Sequence, residues 1–261
     1  MNKLYILFIS LAIMLSSCDK VIDLKLKQME PKIVIESVIT DLNTRHTVII
    51  STTTNFESTN GKVPVSKATV VLKAAGGTTI NFTEQTPGNY VSSRYRGIPG
   101  EKYTLTVTVN DKSYSATSVM PLPVPIKSLD QIEISFLGNV RKVVQLNYND
   151  PAGIVNFYNN RVFINNLKRA NYYLESDRFN DGNEVKNTIY IDEPDLVTGD
   201  VVRVQMLTID ENVYKFLFSI TQISGNGGPP TTPANPNSNF NNGALGYFSA
   251  STTSEATITI K

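Results

Sequence analysis

Between residues 33 and 119 apolar side chains recur at alternate positions in short runs. This is the two-residue period of strands that turn one face to a core. Ile33, Val34 and Ile35 with Val38 and Ile39 begin the series, and residues 46–53, 68–74, 78–83, 90–95, 103–109 and 113–119 continue it. In the run 103–109, Leu105, Val107 and Val109 share one face and the threonines take the other. Residues with special backbone conformations separate the runs. Gly76-Gly77 signals a hairpin, Pro87-Gly88-Asn89 and Asn110-Asp111-Lys112 signal tight turns, and Gly97-Ile98-Pro99-Gly100 signals a loop. About seven strands at this spacing predict an immunoglobulin-like β-sandwich over residues 31–120.

Pro121, Pro123 and Pro125 interrupt the pattern. Prolines at alternate positions remove backbone donors and favour an extended, semi-rigid course, so residues 121–125 read as a connector. Strand-like runs return at 131–137, 143–149, 155–165, 171–176, 188–191 and 201–209, and predict a second β-sandwich-like domain over residues 126–261. Within it one segment has helical spacing. Asp210 is suited to cap a helix over residues 211–223, with Val213, Phe216, Leu217, Ile220 and Ile223 on one face and Gly225 as the stop. Residues 225–243 are dominated by Gly, Pro and Asn and predict a long exposed loop held at both ends, because residues 244–250 and 255–261 again read as strands. The expected fold class is therefore mainly β: an N-terminal immunoglobulin-like sandwich, then a second sandwich-like domain carrying one α-helix.

The first residues have another pattern. Lys3 precedes an uncharged apolar run over residues 4–15, which ends in Leu15-Ser16-Ser17-Cys18. A charged tip, a short apolar core and small residues describe a secretory signal. The run falls short of the roughly 20 residues that a membrane-spanning helix needs. The terminal cysteine makes the stretch resemble a bacterial lipoprotein signal, with residues 1–17 removed and Cys18 lipidated. Residues 18–30 then read as a tether, and the acyl chains hold the protein to the membrane.

Composition narrows the chemistry. There are 24 Lys and Arg against 23 Asp and Glu, with no basic cluster, which excludes a nucleic-acid surface. Cys18 is the one cysteine, so internal disulfides and cysteine metal sites are excluded. His46 is the one histidine and stands at a strand start with no credible triad partner, so it reads as structural. No nucleophile elbow, phosphate loop or dinucleotide fingerprint occurs. The acidic stretch 177–184 puts Phe179 where a calcium loop requires an oxygen ligand and lacks the closing glutamate, so it reads as a polar turn. Asp150, Asp192, Glu193 and Asp195 add carboxylates with no spacing that joins them. No catalytic residue, metal or cofactor is expected. Among the aromatics of the second half, Phe240 lies in the polar loop without apolar neighbours, and is the candidate for an exposed ligand-binding residue.

The lipobox followed by Lys20-Val21-Ile22-Asp23-Leu24, then Glu30-Pro31-Lys32-Ile33-Val34-Ile35-Glu36, resembles the start of the exported lipoproteins classed as domain of unknown function 4249. Gly97-Ile98-Pro99-Gly100, Tyr103-Thr104-Leu105, Met120-Pro121, Pro233-Ala234-Asn235-Pro236 and residues 243–250 are similar to that family in the same order. The resemblance implies an outer-membrane lipoprotein encoded near TonB-dependent receptors, and carries over no functional residue except Cys18. The function expected is thus a non-catalytic outer-membrane lipoprotein that assists a TonB-dependent nutrient transporter. Its partners would be the membrane, such a receptor, and a glycan or other small nutrient. The alternative is a stand-alone carbohydrate-binding or adhesion module of the cell envelope.

Overall fold

In the computed structural model, residues 30–54, 62–136, 138–191, 194–223 and 236–261 are described. The expected lipidation site Cys18, the expected tether as far as Met29 and most of the predicted loop 225–243 lie outside these residues. The first half contributes β1 (Ile33–Thr40), β2 (Thr44–Thr52), β3 (Val63–Pro64), β4 (Thr69–Ala74), β5 (Thr79–Thr86), β6 (Asn89–Tyr95), β7 (Lys102–Val109) and β8 (Lys112–Val119). The second contributes β9 (Ile126–Phe136), β10 (Asn139–Asn149), β11 (Phe157–Ile164), β12 (Leu167–Lys168), β13 (Tyr173–Ser176), β14 (Glu184–Ile189) and β15 (Val201–Ile209), then helix α1 (Glu211–Ile223) and β16 (Leu245–Thr259). The protein is mainly β, with two sheets and, among the described residues, one α-helix.

One sheet has 13 strands, with the main path β12-β11-β15-β16-β1-β2-β6-β5-β4-β7-β8; β13 pairs with β11 and β3 with β2. The other is β14-β10-β9. Alternation sets which face is buried. Ile35 and Ile39 of β1, Val48 and Ile50 of β2, Leu72 of β4, and Tyr103, Leu105 and Val107 of β7 meet in a first core. The second core lies between the three-stranded sheet and β11 and β15: Val144, Leu146 and Tyr148 pack with Tyr158, Val162, Val202, Val204 and Met206. The other face of β15 carries Leu207, which packs with Val213, Phe216 and Leu217 of α1.

The proline segment separates these cores: Met120 belongs to the first and Val124 to the second. It does not separate two stretches of chain. Residues 244–250 and 255–261, expected as two strands of the second domain, are largely one long strand, β16. Its first part pairs parallel with β1, from Val34↔Leu245 to Thr40↔Ser251. Its second part pairs antiparallel with β15, from Thr208↔Thr252 to Val201↔Thr259. Phe248 and Ala250 therefore complete the first core while Ile260 enters the second, and Pro31–Lys261 forms one compact unit.

The parallel pairing brings the two backbones close. Gly246, opposite Ile35, has φ +95°, and a Cβ there would run into the Ile35 carbonyl group and amide nitrogen. Glycine is the residue that supplies both the positive φ and the missing atom.

Helix α1 has the predicted bounds. Asp210 Oδ1 accepts the Val213 amide at 3.0 Å and so caps the first turn. Its Oδ2 accepts the Ser118 hydroxyl, whose oxygen in turn accepts the Ala250 amide at 2.9 Å. Burial raises the Asp210 pKa, and the Ser118 hydrogen bond works against that rise.

Candidate functional site

Strand alternation turns one face of the large sheet away from the first two cores; α1 and its cluster, against which Val38 and Tyr247 pack, cover part of this face, and the rest is open. On β1, Ile35, Ser37 and Ile39 point inward, so Glu36 and Val38 point to this face. On β2, Val48 and Ile50 point inward and Thr47 and Ile49 outward. Across β16 and β15 the face continues through Tyr247 and Gln205 to Arg161 on β11 and Lys168 on β12. Together with Tyr172 these residues line an open groove of about 690 Å³.

Its electrostatics are lopsided. Glu36 is committed to Lys62 at 2.5 Å. Arg161, opposite Gln205 in the ladder, donates a long 3.5 Å hydrogen bond to the Gln205 Oε1. Among the described residues neither Arg161 nor Lys168 forms an ion pair with a carboxylate. Burial disfavours the charge on Arg161 and Lys168, and Arg161 itself adds repulsion at Lys168; a guanidinium stays protonated under such pressure. The Tyr247 hydroxyl is pushed up to about 12, by burial first and then by the neighbouring Tyr172. The groove thus offers half-desolvated cationic donors, a tyrosine hydroxyl and the partly exposed ring of Tyr172, which suit a ligand with anionic or polar acceptor groups.

His46 lies beneath this face at a bulge between Arg45 and Thr47, and is buried. Its Nε2 bonds the Tyr95 carbonyl at 2.9 Å, its backbone amide donates to the Ser92 hydroxyl at 2.9 Å, and its ring meets Tyr95 edge to face. Burial lowers its pKa. These bonds fit the structural role expected of it.

Phe240 requires a correction. It is 7% exposed and sits in the first core, with a bridge to Ala116 of β8. Its polar neighbours explain why. Asn239 brackets Phe248, donating to its carbonyl at 2.7 Å and accepting its amide at 3.0 Å. Asn241 accepts the Ser115 amide at 2.8 Å and donates to the Ser115 hydroxyl at 2.9 Å. The asparagines satisfy two strand edges, and the ring between them is left to fill the core. It does not line the groove.

The acidic stretch 177–184 is a turn, as expected, opening with one 3-10 turn over Asp177–Phe179. It carries more than the pattern implies, because it brings Asp177 and Asp181 to Asp150, with one carboxylate oxygen of each within 4.8 Å of the others. Asp192 and Glu193 lie outside the described residues, and Asp195 pairs with Arg141. Phe179 is 85% exposed, under the Arg178 guanidinium.

Sequence reasoning missed Arg161, Lys168, Tyr172 and Tyr247 as a group. Each stands on a different segment, and the ladder register that joins them is invisible in a local pattern. The one available signal was that Arg161 is the single charged residue in the strand-like run 155–165.

A comparison with curated proteins gives no match. The profile of the family described as domain of unknown function (DUF4249) matches residues 19–257, nearly all of the chain beyond its apolar start, and the chain belongs to that family.

Proposed function

We propose that the protein is a lipid-anchored, non-catalytic capture protein of the outer membrane that works beside a TonB-dependent nutrient transporter. The observation that supports this reading is the groove, where Arg161 and Lys168 stand beside Tyr172 and Tyr247 and, among the described residues, form no ion pair with a carboxylate, Glu36 being held by Lys62. Donors of this kind hold a carboxylated or otherwise acceptor-rich nutrient by charge-assisted hydrogen bonds without reacting with it. Support for the non-catalytic part comes from His46, whose ring nitrogen is taken by a backbone carbonyl, and from Glu36, held by Lys62. Membrane attachment rests on the lipobox that ends in Cys18.

Three measurements test the reading. Pull-downs from native membranes recover a TonB-dependent receptor with the lipidated chain, and Cys18→Ser releases the folded chain from the membrane. In solution, binding of an acidic oligosaccharide weakens by at least about tenfold in Arg161→Gln, the order expected for a lost hydrogen bond to a charged group. A chain that never recovers a receptor, or a C18S variant that stays in the membrane fraction, overturns the proposal.

The half-exposed ring of Tyr172 favours a second reading, a stand-alone carbohydrate-binding or adhesion module. Binding of neutral oligosaccharides that is lost in Tyr172→Ala and unchanged in Arg161→Gln selects it.

A further inference from the structure

Away from the groove, two buried carboxylates approach each other with no lysine or arginine paired to them among the described residues. Asp150 follows β10 and is 4% exposed; Asp177 opens the turn after β13 and is 6% exposed. Asp181, exposed, completes the cluster. Buried carboxylates are ordinarily paired with a base or fully hydrogen-bonded, yet among the described residues no lysine or arginine forms an ion pair with any of the three. Asp150 Oδ1 accepts the Tyr158 hydroxyl. Its Oδ2 is buried and accepts no hydrogen bond of full geometry, although the Gly182 backbone amide approaches Asp150 as a donor and favours the charged form.

The surrounding bonds fix the geometry. Asp177 Oδ2 accepts the Asn156 amide at 2.7 Å, and the Asp177 amide donates to the Asn156 carbonyl at 3.1 Å. Asp181 Oδ1 accepts the Gly153 amide at 2.6 Å. The Asp150 amide donates to the Asn183 carbonyl at 2.9 Å. Loop 150–156 and turn 177–183 are thus held together around three carboxylates. Burial raises the Asp150 pKa; the Tyr158 hydrogen bond opposes that rise, and the Asp177 charge adds to it.

We propose that Asp150, Asp177 and Asp181 form a calcium site that ties loop 150–156 to turn 177–183. Three carboxylates converge from two segments, and the unpartnered buried Oδ2 of Asp150 is the oxygen that a cation would satisfy. The donor set is oxygen alone, with no histidine or cysteine, which excludes a preference for zinc or copper. The irregular arrangement of two loops suits calcium, which accepts varied geometry and water ligands. Magnesium demands a near-octahedral shell.

The test uses the full chain, solubilised in detergent and freed of metal with a chelator. Calcium chloride alone is titrated by calorimetry, with magnesium chloride at matched ionic strength as the comparison. The expected result is one equivalent of calcium with Kd in the range of about 10⁻⁴–10⁻³ M, as in extracellular modules. The melting temperature should rise by roughly 3–6 °C at ten times Kd, with magnesium giving less. Asp181→Asn, at an exposed position, should weaken calcium binding by about tenfold or more without lowering the melting temperature of the metal-free protein, since it removes a like charge. Asp150→Asn should do the same more strongly, and Asp181→Asn decides the matter if that core variant fails to fold. No calcium-dependent heat or melting shift up to about 10 mM, an equal response to magnesium, or an unchanged calcium response in Asp181→Asn each overturns the proposal.

Discussion

Gly246→Ala should be among the more damaging single-atom-group changes available in this fold, and its cost separates into two parts. The first is conformational. Gly246 has φ +95°, and an L-residue held there costs about 1–2 kcal/mol. The second is steric. The new methyl would lie 2.8 Å from the Ile35 carbonyl carbon and 2.9 Å from its amide nitrogen, and closer still to its oxygen. These are backbone atoms of β1 and cannot rotate away, so β1 and β16 must part locally. Losing about two ladder hydrogen bonds at ~1 kcal/mol each adds about 2 kcal/mol. The sum is roughly 3–4 kcal/mol against a total stability of about 5–15 kcal/mol. Gly199→Ala is the control: Gly199 has φ +97° with nothing within 4 Å of an added Cβ, so it carries the conformational cost of about 1–2 kcal/mol alone. Urea unfolding of both variants measures the difference, which should be about 2 kcal/mol. Equal losses would show that the close approach of β1 and β16 contributes nothing, and would refute the steric part of the reasoning.

Three further outcomes follow from the same packing. Phe240→Ala should cost about 3–5 kcal/mol in chemical unfolding, as for a buried aromatic; a loss under about 1 kcal/mol would return the ring to the surface. Ser118→Ala removes the donor to Asp210 Oδ2 and the acceptor of the Ala250 amide, for about 2–4 kcal/mol at neutral pH. Because the Asp210 pKa is already raised in the folded state, ionisation works against folding as pH rises through the folded value, so the loss should shrink at acidic pH where the carboxyl is protonated; a loss that grows on acidification would contradict this. His46, with a lowered pKa, takes up its proton more readily unfolded than folded. It therefore stabilises the fold fully above its unfolded value of about 6.5 and loses that contribution as pH falls toward the folded value. The single imidazole signal in an NMR titration should have its midpoint below 6.5, and a midpoint at or above the ordinary histidine value would refute the argument.

Local pattern carried much of the fold. The alternation in β1, β2, β4 and β7, the Gly76-Gly77 turn, and α1 with its Asp210 cap were all legible, because each is decided by residues within a few positions of one another. Pairing partners were not. Nothing near residue 246 says that it meets Ile35, so β16 was divided between two runs and assigned wholly to the second domain, whereas its first part finishes the first core. Phe240 was misjudged for the opposite reason: its immediate neighbours are polar, but Asn239 and Asn241 spend that polarity on the edges of β16 and β8. The candidate sites were the least legible. Arg161 and Lys168 become one electrostatic feature only through ladder register, and Asp150 joins Asp177 and Asp181 only because β10 and β13 end at the same place.

The sharing of β16 between two cores also bears on how the chain folds. The first core cannot close when β8 is finished, because its last contributors, Phe248 and Ala250, lie on β16. At roughly 5–20 residues per second, synthesis from Val119 to Leu245 takes on the order of 6–25 s. Throughout that interval the edge of β1 that later receives residues 245–251 remains unpaired, a template for any other extended segment. The nascent N-terminal half is therefore an incomplete sheet awaiting its final strand, and a chaperone that covers the β1 edge should raise the yield of folded protein more than one that acts on the finished chain.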